Sequence, residues 1–346
     1  MVPIVLNTKF KKLGIIDDYI SFIWTARYYK TGDFELCTAV NEKTIKFLKR
    51  NYYIMREDDD NVGIIEKVRL SRTKNESEMM VVTGRFLSSI VGRRIIEKMT
   101  EINNLTVPEA IRKLLNENII SPSMAVRKIS NFKFLNDTNF NTKITVQYTG
   151  KNLLETIENL CETYGLGLRV SLEKGQFIFH LFEGIDRSYN QTKNPYIVFS
   201  GNYDNLEATE YEEDCQNIVT DVLVAGEGEG LERKTIWAKN QVNSELSRYE
   251  MYQDARNSST NSGEISDAVY FDQLKNEGLE NITTYTKAFS GKVFFDNYKY
   301  KTDFGIGDIV KIENTNWDIR INTRLIEVIE STSEAGQYTV TPTFGV

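Results

Sequence analysis

The sequence contains a single histidine, His180, and a catalyst of the Ser-His-Asp or Cys-His type would have to use it. This residue lies inside an apolar, strand-like run, where a histidine on the polar face of a strand is the expected structural role. A metal site is not indicated either, because the sequence has no Cys-x-x-Cys and its cysteines are widely spaced: Cys37, Cys161 and Cys215. We therefore predict no catalytic, cofactor or metal site.

Clusters of acidic residues are the second feature that could support chemistry. Asp58-Asp59-Asp60-Asn61 falls between two predicted strands, but a calcium loop needs further oxygen ligands at set spacings and a distal glutamate. We therefore interpret it as a solvated turn. Paired carboxylates can cleave glycosidic bonds, and the densest acidic cluster is Glu210, Glu212, Glu213 and Asp214. A solvated loop is the expected role of this cluster, and a glycan-cleaving site is the alternative.

A glycine-rich segment, Gly226-Glu227-Gly228-Glu229-Gly230, follows a strongly predicted strand. Gly-x-Gly after a strand is typical of a nucleotide-binding loop, but such a loop leads into a helix whose N-terminus holds phosphate. Here a second strand follows, and the two glutamates would repel phosphate. We predict a hairpin loop, with Glu227 and Glu229 as candidate residues of a lumen or of an interface with a neighbouring protein.

The overall charge and hydropathy limit the kinds of partner. At a formal charge of −7 and a pI near 5.2, specific nucleic-acid binding is not expected, because such binding depends on neutralising phosphates. No apolar run reaches the ~18–20 residues of a membrane span, and the first residues do not form a signal peptide. We therefore expect no membrane anchor and folding in the cytosol. The 18 Tyr, 18 Phe and 3 Trp are expected in cores and subunit interfaces.

The pattern of elements predicts an α+β fold, predominantly β, in three domains. Residues 1–100 and 190–346 show short strands separated by turn residues, which is typical of small β-barrel-like domains. Residues 101–189 change to helical periodicity and then to a hairpin, which predicts an α+β domain between the two. The third domain also carries a helical excursion near 244–284, with a helix predicted over Asp267–Thr284. A chain of 346 residues is long enough for such a division.

The helices of the middle domain carry clear start and stop signals. Thr106 is a predicted N-cap, Pro108 lies in the first turn, and Glu109 completes a capping box. A second helix is predicted over Leu153–Tyr164, where apolar residues form one stripe and Gly165 provides the stop. These signals are local, so they predict the helices without reference to the rest of the chain.

Short motifs recur in order along the sequence. One series occupies the C-terminal part: Tyr300, Asp303-Phe304, Gly307-Asp308-Ile309-Val310, Asn322-Thr323-Arg324-Leu325, Glu327-Val328 and Thr343-Phe344-Gly345. Another occupies the N-terminal part: Gly32-Asp33-Phe34-Glu35-Leu36, Gly84-Arg85-Phe86-Leu87 and Arg93-Arg94-Ile95-Ile96. In this order the motifs resemble the tail hub proteins of long-tailed bacteriophages, the siphovirus Gp37-like tail proteins, which are relatives of the baseplate hub of contractile-tailed phages.

This resemblance implies a structural virion protein, the central hub of a phage or phage-like tail tip or baseplate. Such hubs form a ring, here expected to be a homotrimer of two barrels per subunit, that joins the tail tube to a fibre or spike and lets DNA pass. The implied neighbours are a tail tube or distal tail protein, the tape-measure protein and the central fibre or spike, with assembly in the bacterial host cytoplasm. Three copies at −7 each would carry −21, so we expect an acidic lumen that repels DNA.

A tail enzyme that degrades cell wall or polysaccharide is the alternative function, because some relatives carry lysins fused behind the hub. The sequence ends at Val346, directly after the last motif, so we expect no fused catalytic domain. The resemblance fits contractile and non-contractile tails alike, and it fits a phage, a prophage or a bacteriocin-like particle.

Overall fold

The structure is a computed structural model that describes residues 1–72, 78–203, 205–283, 286–293, 298–333 and 336–345. Strands in several sheets dominate these residues, with four α-helices between them, which confirms the predicted fold class. Within the described ranges no sheet closes into a barrel. The barrel-like form predicted for residues 1–100 and 190–346 is therefore not closed.

The N-terminal part contains eight strands and one helix among the described residues. They are β1 (Ile4–Leu6), β2 (Lys12–Ile15), β3 (Ser21–Arg27), β4 (Asp33–Ala39), α1 (Glu42–Phe47), β5 (Tyr53–Arg56), β6 (Asp59–Ile64), β7 (Lys67–Ser71) and β8 (Met79–Arg85). A small sheet has the order β2-β1-β5-β6, and Trp24 with its apolar neighbours fills the core between this sheet and β3, β4 and β8. A 3-10 helix, Leu87–Arg93, leads into the next part.

The middle part is the α+β unit. It contains β9 (Thr100–Thr106), α2 (Val107–Leu115), β10 (Phe132–Asp137), β11 (Lys143–Tyr148), α3 (Leu153–Tyr164), β12 (Gly167–Glu173) and β13 (Gln176–Phe182). The predicted capping box is confirmed, because the Thr106 side chain accepts from the Glu109 amide and the Glu109 carboxylate accepts from the Thr106 amide. The second predicted helix is confirmed as α3, which ends at Gly165 with φ 70°. The sheet β10-β13-β12 and the pair β9–β11 pack with both helices around one apolar core.

The C-terminal part returns to strands. Its elements are β14 (Val198–Ser200), β15 (Leu206–Asp214), β16 (Asp221–Ala225), β17 (Thr235–Lys239), β18 (Glu250–Asp254), α4 (Asp267–Leu279), β19 (Thr286–Val293), β20 (Ile309–Asn314), β21 (Ile319–Ser333) and β22 (Tyr338–Gly345). Strands β15 and β19 pair with each other. The chain segment that connects them forms the small sheet β17-β16-β18, which packs against α4. Helix α4 ends earlier than predicted because Thr283 pairs with Val219 instead, and the last predicted residue, Thr284, lies outside the described residues.

One ten-stranded sheet joins the two ends of the chain. Its main path runs β15-β19-β22-β21-β3-β4-β8-β7, with β20 and β14 branching from β21. The junction is an antiparallel pairing of β21 with β3, in register from Glu327 opposite Arg27 to Ser333 opposite Ser21. The N-terminal and C-terminal parts therefore share a continuous sheet, whose path begins at β15 and ends at β7.

Candidate assembly surface

The shared sheet has one face turned to the core and one that is partly exposed. Successive residues of a strand point to opposite faces, so on β22 Val340 and Phe344 are buried while Thr339, Thr341 and Thr343 are half-buried. The neighbouring strand continues this hydroxyl-rich row, since the Ser331 hydroxyl lies 2.6 Å from the Thr339 hydroxyl. We call this partly exposed side the far face of the sheet.

Two arginine side chains on the far face are paired with carboxylates. Arg27 on β3 lies opposite Glu327 on β21, with the Nε to carboxylate distance 2.7 Å, and also contacts Asp33 at 2.5 Å. Arg85 on β8 makes two hydrogen bonds of 2.9 Å each to the carboxylate of Glu66. These partners raise the pKa of both guanidinium groups, against the opposing effect of burial, and they neutralise the positive charge.

The edge strand β7 is basic on one face and apolar on the other. Lys67 and Arg69 are exposed on the far face. Val68 and Leu70 lie opposite the core residues Val82 and Met80, yet Leu70 is 60% exposed. These apolar side chains lie on the core-facing side of the sheet but are exposed to solvent. The apolar layer at this edge of the sheet is therefore left uncovered.

The other edge strand, β15, is acidic. Glu210 and Glu212 are exposed and lie opposite Ser290 and Ala288 of β19. Our prediction that this acidic cluster is a solvated loop is wrong, because the segment pairs along β19 as an edge strand. The two ends of the main strand path thus carry opposite charges.

Behind the sheet, a buried ion network holds the N-terminal and C-terminal parts in fixed register. Arg56 and Glu330 are 1% and 2% exposed, and the guanidinium binds both the Glu330 and the Asp58 carboxylates. Lys301 adds contacts of 3.0 Å to Glu330 and 2.6 Å to Asp59. Burial opposes the charge on Arg56, but the carboxylates outweigh it and raise its pKa. The acidic run at residues 58–61 was predicted to be a solvated turn. Instead, its residues Asp58 and Asp59 supply two carboxylates of this network.

A second junction centres on Tyr28, whose side chain contacts all three parts of the chain. Its hydroxyl donates to the Gly165 carbonyl and accepts from the Gly184 amide, both at 3.1 Å. The Arg324 guanidinium lies 5.1 Å from its ring centre and donates to the Gly307 carbonyl at 2.6 Å. Burial raises the pKa of Tyr28 to about 12, so the hydroxyl stays neutral.

The histidine takes part in a Ser-His-Asp chain that sequence reasoning did not find. The Ser171 hydroxyl lies 2.9 Å from Nε2 of His180, and Nδ1 lies 3.2 Å from the Asp137 carboxylate. Ser171 is in the middle of β12, is 4% exposed and also donates to Glu173. A nucleophile must meet its substrate, so a serine buried in a strand is suited to hold the hairpin together rather than to attack an ester or peptide bond.

The two predicted loop glutamates differ in their surroundings. Glu227 accepts from the Thr260 amide at 2.9 Å and pairs with Lys234 at 3.0 Å. Although burial raises the pKa of Glu227, these hydrogen bonds lower it to about 2. Glu229 is exposed. The loop joins β16 to β17 as the predicted hairpin, and the Glu227 carboxylate is engaged within the chain whereas Glu229 is exposed.

A cluster of two carboxyl groups, from the buried Glu277 and the half-buried Glu280, joins the middle part to the end of α4. Tyr148 on β11 donates to Glu280, and burial raises the pKa of Glu280 to about 7. Next to it, Glu277 binds Lys151 at 2.8 Å and accepts from the Ser258 hydroxyl at 3.0 Å. This pair of glutamates was not predicted, because the residues that enclose them come from distant segments.

The described residues hold no group of three or more His, Cys, Asp or Glu side chains arranged to bind a metal ion. Two of the cysteines are buried and one is exposed, and all are free thiols: Cys37, Cys161 and Cys215. None of the helices in the described ranges combines the length and apolar character needed to cross a bilayer.

Solved structures of tail proteins share this architecture. The tail protein from Neisseria meningitidis MC58 matches with a TM-score of 0.58 and 13% identity, covering 100% of this chain and 96% of that one. Prophage tail protein gp18 from Listeria monocytogenes EGD-e matches at 0.55 and 13%, covering 100% and 94%. The prophage MuSo2 43 kDa tail protein from Shewanella oneidensis matches at 0.56 and 12%, covering 99% and 98%. The fold is therefore that of phage and prophage tail proteins.

The chain belongs to the siphovirus Gp37-like family. The family model, described as Siphovirus ReqiPepy6 Gp37-like protein, matches residues 3–346 and confirms the resemblance found in the sequence. No curated protein matches the chain in sequence. Family and fold together make this a phage-type tail protein.

Proposed function

We propose that this protein is the ring-forming hub of a phage or phage-like tail tip, with no catalytic role. One observation carries the proposal: the strand path of the shared sheet ends in a basic strand, β7, and in an acidic strand, β15. Free strand edges pair readily with another chain. Charges of opposite sign favour the pairing of β15 from one copy with β7 from the next, and disfavour β7 with β7.

Such a contact joins two different surfaces, so it is heterologous and generates a ring if the rotation closes. The exposed side chains of Val68 and Leu70 support it, since a neighbouring strand would bury them and extend the apolar layer. We propose a homotrimer, as the family resemblance implies. The ring would contact a tail tube or distal tail protein and the tape-measure protein on one side and a fibre or spike on the other.

We further propose that the far face lines the channel. Its central strands present hydroxyl groups, and Arg27 and Arg85 are paired with carboxylates, so the wall offers few free cations to DNA phosphates. In the ring, the acidic residues of β15 would neutralise Lys67 and Arg69. Glu229 remains a candidate lumen or interface residue, whereas the Glu227 carboxylate is engaged within its own chain.

The fold of tail proteins and the buried position of Ser171 support a structural rather than an enzymatic role. Two oppositely charged sheet edges and a buried ionic junction also support this structural role. The site of action would be the virion tail tip, reached after assembly in the bacterial host cytoplasm.

The test uses paired charge reversals and the assembled tail. Lys67→Glu with Arg69→Glu should weaken ring formation, as should Glu210→Lys with Glu212→Lys, and combining all four should restore it. Light scattering gives the mass, and electron cryo-microscopy of tails shows the symmetry and neighbouring strands. Lys9→Glu with Lys11→Glu, on exposed residues of the turn between β1 and β2, is the control for net charge. A two-fold or six-fold ring, or β7 and β15 far apart in the tail, would overturn the proposal.

A further inference from the structure

A groove runs between helix α2 and the outer edge of β10, on the middle part of the chain. Its volume is about 590 Å³. One wall is the helix surface bearing Glu109, Arg112, Lys113 and Asn116, and the other is the first half of β10 with Lys133. No residue of β7 or β15 lines the groove, so it is distinct from the proposed ring contact.

The floor of the groove is apolar and partly covered by a cation. Ile120, Phe132 and Phe134 line it, and Phe134 is half-buried. The Arg112 guanidinium lies 5.3 Å from the centre of the Phe134 ring, which is a cation–π contact. An occupant would therefore place apolar side chains on the floor and polar ones near the rim.

The backbone of β10 faces the groove with free hydrogen-bonding groups. β10 is the outer strand of the sheet β10-β13-β12 and runs parallel to β13. The Phe177 amide donates to the Asn131 carbonyl at 2.9 Å, and this bond identifies which residues of β10 direct their backbone groups to β13. In a parallel pair, alternate residues bond to the neighbour, so Lys133 and Leu135 face β13. The N–H and C=O groups of Phe134 and Asn136 consequently point outward.

The rim is positive in a chain that is negative overall. Arg112 and Lys133 are exposed, and Lys113 is half-buried, with its ammonium donating to the Glu101 carbonyl at 2.5 Å. The Glu109 carboxylate is occupied by the amide and hydroxyl of Thr106. A lysine on an edge strand discourages unselective pairing, so the edge favours a strand that brings an acidic residue opposite Lys133.

We propose that this groove is a docking site for an extended acidic segment of another protein, which adds a strand to the edge of β10. Strand addition of this kind uses main-chain hydrogen bonds for affinity and pockets for alternate side chains for selectivity. Here alternate apolar residues would enter the floor beside Arg112, and the acidic residues between them would lie on the opposite face, next to Lys133. The free N–H and C=O groups favour a polypeptide over a nucleic acid, whose backbone cannot continue the ladder.

The probe is an array of synthetic octapeptides with Glu or Asp at alternate positions and Val, Leu or Phe between them, offered to the full-length chain. Matched arrays carry Lys in place of the acids, or N-methyl groups on the amides of one edge. Acidic peptides should bind, the basic array should not, and N-methylation along the pairing edge should abolish binding. Hydrogen exchange on the complex should slow at the Phe134 and Asn136 amides.

Variants of exposed residues make the test specific. Arg112→Glu and Lys133→Glu should each weaken the binding of the acidic peptides by at least about tenfold, which corresponds to ~1.4 kcal/mol. Lys49→Glu, an exposed lysine outside the groove, should leave affinity unchanged. The inference fails if no acidic peptide binds at millimolar concentration, if N-methylation has no effect, or if a dT12 oligonucleotide binds the groove more tightly than every peptide. Peptide binding does not depend on ring formation, so the two proposals can fail separately.

Discussion

Arg56 and Glu330 lie 274 positions apart in the chain, and their buried side chains form a direct ion pair. The pair lies where β5 meets β21, behind the junction between β21 and β3. Because Glu330 is enclosed, its loss would leave the buried Arg56 with only the exposed Asp58 as a counter-charge, which costs more than the loss of a surface pair. The relative placement of the N-terminal and C-terminal parts therefore depends on this buried ion pair as well as on the pairing of β21 with β3.

The first prediction concerns this pair. Glu330→Gln should lower the free energy of unfolding by about 3–5 kcal/mol, because the Arg56 guanidinium loses its buried counter-charge. Urea unfolding followed by circular dichroism measures the change. Glu66→Gln removes the partner of the exposed Arg85 and should cost no more than about 1 kcal/mol. Equal midpoints for the two variants would contradict this account.

The second prediction concerns the close approach of two loops. A Cβ atom on Gly184 would lie 1.8 Å from the Gly307 carbonyl oxygen, which belongs to the backbone and cannot rotate away. Gly184→Ala should therefore destabilise the protein by about 1–3 kcal/mol. Gly305→Ala, in the second loop, has open space and is the matched control. Thermal unfolding compares the two, and a stable Gly184→Ala variant would show that the loops separate easily.

The third prediction concerns pH. Burial raises the pKa of Glu280 in the folded state to about 7, above its ordinary value of 4.5. A carboxyl with a raised folded pKa holds its proton more tightly when folded, so stability falls as pH rises from about 4.5 to about 7. Glu280→Gln keeps an acceptor for Tyr148 and should remove this slope.

Unfolding of wild type and Glu280→Gln at a series of pH values gives the measurement for this third prediction. As pH rises from about 4.5 to about 7, the free energy of unfolding of the variant should increase relative to that of the wild type. Glu250→Gln, at an exposed position, controls for the loss of one acid. Parallel stability curves for wild type and Glu280→Gln would disprove the assignment of the slope to Glu280.

The fourth prediction concerns catalysis. Purified protein should release no product from peptidoglycan or capsular polysaccharide, as the proposed structural role implies. The burial of the Ser171 hydroxyl in a strand agrees with this expectation for the Ser-His-Asp chain. Ser171→Ala should give the same baseline and should lower stability modestly through the lost contact with His180. Product release that disappears on substitution of a single carboxylate, measured by chromatography, would support the alternative function.

Local signals in the sequence predicted the local structure. The capping box at Thr106 and the stop at Gly165 involve residues within one or two turns of each other, and both helices form where expected. The shared sheet was not predicted, because Glu327 meets Arg27 across 300 positions and period-2 alternation does not specify a partner. The acidic β15 was assigned to a loop for the same reason, since its pairing with β19 is a tertiary contact.

The candidate surface was predictable only in part. The sequence identified acidic clusters and a charged hairpin loop, but the significance of Lys67 and Arg69 depends on β7 being an end of the sheet. Likewise, Ser171, His180 and Asp137 come from three strands, and their spacing in sequence does not indicate a hydrogen-bonded chain. The role of such side chains depends on which strands are neighbours, so it can be inferred only once the strand order is known.

The pairing of β3 with β21 also determines the order of events during synthesis. β3 leaves the ribosome early, but its partner follows about 300 residues later, a delay of about 15 to 60 seconds at bacterial rates. Throughout that interval the newly made N-terminal segment exposes an unpaired strand beside an apolar core, and neighbouring nascent chains on the same message expose it too. Protection against premature aggregation is therefore needed mainly during translation, and it ceases to be needed once β21 docks.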